Sequence, residues 1–104
     1  MSVYSTRFIA ALGLSPFSGA TYTVPSGKVA IVRDIDVSNV SGAASRPFLY
    51  YSAAGYVVTY LPIDAPPSAS SWRGRQVFEA SEVFGVYAQA ATINAFVSGY
   101  LLDA

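Results

Sequence analysis

The chain of 104 residues has no cysteine and no histidine. Without cysteine there are no disulfides and no thiolate chemistry, so stability must come from packing. Without histidine as well, the usual nucleophile–base pairs and nearly all zinc sites are gone. Charge is scarce: 12% of residues are charged, against roughly 25% in an average soluble domain. Six basic and six acidic residues cancel, leaving no footprint for a phosphate backbone, and nucleic acid is not an expected partner. Long apolar runs are missing too. Glycine, proline, serine or a charge interrupts each of them well before the ~20 residues needed to cross a bilayer, so no membrane span is expected. The run 8–14 behind Arg7 has the outline of a signal-peptide core but is short, and it reads as part of the mature chain. No ten-residue window carries helical periodicity.

What is abundant is apolar and aromatic. Hydrophobic residues make up 53%, with eight tyrosines and six phenylalanines. Segments rich in Val, Ile, Thr, Tyr and Phe occupy 8–14, 20–24, 28–38, 47–52, 56–61, 75–80, 83–88 and 92–102, separated by Gly, Pro, Ser and Ala. Eight short strands with turn signals between them predict one all-β domain over 1–104, an antiparallel β-sandwich of jelly-roll type. Pro25-Ser26-Gly27 reads as a tight turn, and 53–55 and 80–82 as hairpin turns. Three prolines within 62–71 are too many for a ladder, so that segment is expected to be the one long loop. Residues 1–7 are a candidate contact arm.

Strict alternation along β-prone residues 27–39 would put Val29, Ile31, Arg33, Ile35 and Val37 on one face and Ala30, Val32, Asp34 and Asp36 on the other. That leaves a charge on an apolar face. A bulge would resolve it, as would a position over the sheet end, but a buried arginine is tolerated only if paired. The expected partners are Glu79 or Glu82, in a structural ion pair within the sheet or between subunits.

Several strands are apolar on both faces, which a lone two-layer sandwich does not explain. Phe48 with Tyr50, Tyr56 with Tyr60, and Phe96 with Tyr100 are therefore candidate interface residues, since aromatics are favoured in interface cores. Trp72 with Arg73 is a further candidate: it could stack a sugar or grip a carboxylate, or alternatively Trp72 plugs one end of the sandwich while Arg73 and Arg75 pair with nearby glutamates. Asp34 and Asp36 share a face, but two carboxylates fall short of the six or more oxygens a calcium ion takes. No metal, no cofactor and no catalytic residue is expected, and the chain does not read as an enzyme. Asn39-Val40-Ser41 matches a glycosylation acceptor by chance composition at a turn.

Three stretches carry a resemblance: YTVPSGKVAIVRDIDVSN (22–39), WRGRQVFEASEVFGVYA (72–88) and INAFVSGYLL (93–102). Together they resemble a recurrent small all-β protein encoded among the virion structural genes of tailed bacteriophages, especially those of actinobacteria. The shared features are a Val-Pro-x-Gly turn before a strand with Arg33-Asp34, then Gly74-Arg75-x-Val77, then Ser98-Gly99-Tyr100-Leu101-Leu102. The chain departs from the pattern at 79–82, where a glycine is expected. The resemblance implies a non-enzymatic part of the virion, assembled in the host cytoplasm, most often a minor tail or tail-tip component contacting copies of itself and other virion proteins. A capsid decoration or head-to-tail joining protein remains open. So does a carbohydrate-binding module for host adsorption, with Trp72, Tyr56 and Tyr60 stacking a surface glycan.

Overall fold

The computed structural model describes residues 3–51 and 55–104, with side chains from residue 5 onward. Eight strands form: β1 (Val3–Leu14), β2 (Gly19–Thr23), β3 (Lys28–Gly42), β4 (Phe48–Tyr51), β5 (Tyr56–Tyr60), β6 (Ser68–Phe78), β7 (Val83–Tyr87) and β8 (Ala91–Asp103). They make two four-stranded antiparallel sheets, ordered β1-β8-β3-β6 and β2-β7-β4-β5. Every connection except β4–β5 carries the chain from one sheet to the other, which is the double Greek key of a jelly roll. The turns at 25–27 and 80–82 are therefore corners between sheets and not hairpins. Gly27 takes the left-handed conformation its turn requires (φ 76°). Of the expected hairpin at 53–55, only Gly55 lies within the described residues.

The strands differ in length for a visible reason. Those of the first sheet run to 15 residues and those of the second span only 4–5, so the molecule is 43 Å long but 24 by 19 Å across. The second sheet covers the middle of the first, and the segments 43–47 and 61–67 close one end through buried Ser45, Pro47, Leu61 and Ile63. Ser45 and Ile63 exchange backbone hydrogen bonds of 2.9 Å. Ser68–Ser71, expected in the long loop, instead begins β6 and pairs with Asp36–Asn39; the prolines at 62, 66 and 67 all precede it. Likewise residues 3–7 are no free arm. Val3–Arg7 pairs with Leu102–Ser98 of β8.

The core lies between the sheets. Ala30, Val32, Ile35, Val37, Ile93, Ala95 and Val97 face Leu49, Phe84 and Val86, all essentially without exposure. A chain of rings runs through it: Phe8 meets Tyr22 edge-on at 4.9 Å, and Phe78 stacks on Phe84 at 4.4 Å. Several of the abundant aromatics thus belong to the core.

The arginine on the apolar face resolves by a bulge. Register breaks between Val32 and Asp34 against both neighbours: Val32 faces Gly99 and Asp34 faces Ser98 on β8, so Arg33 is the extra residue. The side-chain phase switches there. Ala30 and Val32 point inward before it, Ile35 and Val37 after it, and Arg33 and Asp34 both point outward. The single-face set Val29, Ile31, Arg33, Ile35 and Val37 does not exist. Nor does an ion pair between Arg33 and Glu79 or Glu82: among the described residues the salt bridges are Lys28–Asp103 and Arg73–Asp34.

Candidate functional site

The outer face of the short sheet carries a cluster of four rings, Tyr60 exposed and Phe48, Tyr50 and Tyr87 half-buried. On β7, Phe84 and Val86 point into the core, so Val83, Gly85 and Tyr87 point out; on β4 the outward pair is Phe48 and Tyr50. Phe48 stacks on Tyr87 (5.2 Å, 25°) and meets Tyr50 and Tyr60 edge-on at 6.0 and 5.6 Å. The Arg46 guanidinium lies 4.4 Å over the Tyr60 ring, within cation–π range. Two glycines form the floor. A Cβ on Gly85 would sit 2.8 Å from the Tyr50 hydroxyl, and one on Gly19 3.1 Å from the same atom, so Tyr50 lies flat across β7 only because neither carries a side chain. Burial there pushes the Tyr50 phenol above its ordinary range. Four rings, one guanidinium and a flat floor make a platform.

Behind the platform, on the inner side of β4, Tyr51 donates to Glu82 Oε2 at 2.5 Å, and the Glu79 N–H donates to Glu82 Oε1 at 2.6 Å. The Tyr51 hydrogen bond is the main reason the Glu82 carboxyl titrates below its usual range; the Glu79 amide adds to it. The same bond lifts the Tyr51 phenol. Glu82 is therefore a structural clasp on the 79–82 corner. Ser81 (φ 71°) occupies the left-handed position there, the place where the resemblance led us to expect glycine.

The sequence-derived candidates separate into four places. Phe48, Tyr50 and Tyr60 meet on the platform. Tyr56, 69% exposed, pairs with Tyr51 and lines a cleft of about 410 Å³ between the free edges of β5 and β6, with Val58, Gln76, Phe78 and Glu82. Trp72 faces inward from β6 and packs half-buried against the core, its ring closed over Gly74. It stacks with neither Tyr56 nor Tyr60, so the three-ring sugar platform expected from them is not assembled. Arg73, Phe96 and Tyr100 lie on the outer face of the long sheet. Arg73 Nε is 3.3 Å from Asp34 Oδ1, in place of the glutamates considered for it, and the Arg7 guanidinium covers Phe96 at 5.6 Å. Tyr87, Arg46, Gly19 and Gly85 escaped the sequence reading; the Gly85-x-Tyr87 alternation beside Phe48-x-Tyr50 was the available signal.

Among the described residues no three His, Cys, Asp or Glu side chains cluster as a metal site, and no helix is long and apolar enough to cross a membrane. Asn39, in the glycosylation-like triplet, is buried and donates both amide hydrogens inward, to the Ala43 and Asp64 carbonyls at 2.9 Å each.

No protein-family model matches the sequence, and no curated protein matches it significantly. Solved structures do share the fold. The core of Drosophila NLP, described for pentamer formation and histone binding, superposes with a TM-score of 0.58 at 11% identity, covering 99% of this chain and all of that one. A Bacillus endospore appendage protein, from disulfide-linked pili, gives 0.57 at 10% identity over 98% of this chain and 88% of that one. A family 35 carbohydrate-binding module from Clostridium thermocellum gives 0.52 at 9% identity with full coverage of both chains. At such identities the likeness establishes a β-sandwich.

Proposed function

We propose that this chain is a non-enzymatic assembly module: a rigid jelly roll that packs through the outer aromatic face of its short sheet against copies of itself and neighbouring proteins. The observation that carries this reading is the platform of Phe48, Tyr50, Tyr60 and Tyr87, rings set side by side on a solvent-facing sheet. Large, stiff aromatic side chains bury much area at small entropic cost, and contiguous apolar patches on a sheet mark protein contacts. Closed rotational symmetry is the common solution for such a face. Two of the structural relatives are themselves described as a pentamer and a pilus, so the fold is compatible with ordered assembly. The sequence resemblance directs the reading to the virion of a tailed bacteriophage, as a minor tail or tail-tip component.

A second reading has its own observation. Arg46 over Tyr60, beside stacked Phe48 and Tyr87, is also a surface on which a sugar ring can lie, and a carbohydrate-binding module shares the fold. Electron cryo-microscopy of purified phage particles carrying this chain separates the two. The assembly reading expects the platform buried against a neighbouring subunit. Particles that lack the chain yet assemble and infect normally would reject it, and a platform facing solvent in the particle would favour the sugar.

A further inference from the structure

The bulge that turns Arg33 outward also builds a depression on the opposite side of the molecule from the platform. Its walls come from all four strands of the long sheet: Ser5 on β1, Arg33 and Asp34 on β3, Arg73 on β6, and Ser98 to Tyr100 on β8, around a space of about 200 Å³. Gly99 makes it possible. A Cβ there would overlap the Ile31 carbonyl oxygen and stand 3.0 Å from the Arg33 amide nitrogen, so only glycine can face the bulge.

The charges do not balance. Asp34 is engaged by Arg73, and Arg33 makes no ion pair with any described residue, which leaves the depression with one guanidinium in excess. Bulges commonly re-aim a side chain at a site, and a planar guanidinium grips a carboxylate through two parallel hydrogen bonds. Around it stand the hydroxyls of Ser5, Ser98 and Tyr100, with Asp34 as an acceptor, a set suited to a hydroxylated body beside the acid. The volume lies below the ~300 Å³ at which drug-sized pockets begin. It suits one monosaccharide-sized group.

We propose that this depression is a binding site for a sugar acid, its carboxylate held by Arg33 and its hydroxyls by Ser5, Asp34, Ser98 and Tyr100. The site is independent of the platform and of the assembly reading. Ligand-observed NMR titrations with sodium glucuronate, acetate, glucose and inorganic phosphate test it on the intact protein. Glucuronate should bind saturably and more tightly than acetate, and glucose should not bind here. Arg33→Met should weaken glucuronate at least about tenfold, the scale of a lost charge-assisted pair, with Arg33→Lys intermediate. Arg46→Met, on the other face, should leave binding unchanged. Because Arg33 is exposed, both of its variants should keep the native melting temperature, and Ser98→Val supplies a second, charge-preserving probe that should also weaken glucuronate. The proposal is overturned by any of four results: no saturable binding, glucose or acetate equal to glucuronate, phosphate tighter than glucuronate, or Arg33→Met binding as the native chain does.

Discussion

At the scale of single residues, position decides more than identity. Gly99 sits where any side chain would meet backbone, and backbone cannot swing away as a flexible side chain can. Gly99→Ala should therefore cost about 1–3 kcal/mol in denaturant unfolding, the range of an overpacked core site, with the bulge forced out of register. Ser81 holds a left-handed conformation without being glycine, so Ser81→Gly should stabilise by a few tenths to about 1 kcal/mol, relieving the Cβ clash. Glu82 contributes a pH dependence. Its carboxyl is lowered in the folded state by Tyr51 and by the Glu79 amide, so the stability it contributes is complete above the unfolded-state value, about 4.3. It is lost as pH falls through the depressed folded value. Urea midpoints measured from pH 6 downward should fall through that window, and Tyr51→Phe should make the fall shallower.

At the scale of elements, Asn39 ties the long strand β3 to the segments at 43 and 64 that cap the sandwich. Asn39→Ala would remove two hydrogen bonds to carbonyls of the exposed residues Ala43 and Asp64, and with them a buried Oδ1 that has no partner among the described residues. A cost of about 1–2 kcal/mol is expected by chemical denaturation, with proteolysis first appearing in 61–67. The strands themselves were legible in the sequence because β-branched and aromatic runs alternate with glycine and proline. Their ends were not. Ser68–Ser71 has weak strand propensity and joins β6 only because Asp36–Asn39 offers a ladder, a tertiary effect that local composition does not carry. The phase of β3 was hidden for a related reason: residues 29–32 are apolar on both faces, so the switch at Arg33 shows only in the paired glycine on β8. The candidate site was half legible. Phe-x-Tyr at 48–50 pointed to it, but Tyr87 and Arg46 arrive from other elements, and Trp72, conspicuous in sequence, turned inward.

At the scale of the whole molecule, two faces with different chemistry stand back to back. The short sheet presents rings on a glycine floor; the long sheet presents a polar depression with an arginine that makes no ion pair with any described residue, and half-exposed Tyr100 in its wall. A chain of this size with so little charge has few means of keeping the first face in water. Under the assembly reading a neighbouring copy or protein covers it. The direct test is sedimentation across a wide concentration range, comparing the native chain with a Phe48→Ser, Tyr60→Ser variant whose circular dichroism and melting temperature match it. The account predicts a native oligomer of fixed stoichiometry and a monomeric variant. A native chain that stays monomeric at high concentration, or a variant that associates as the native chain does, would contradict it.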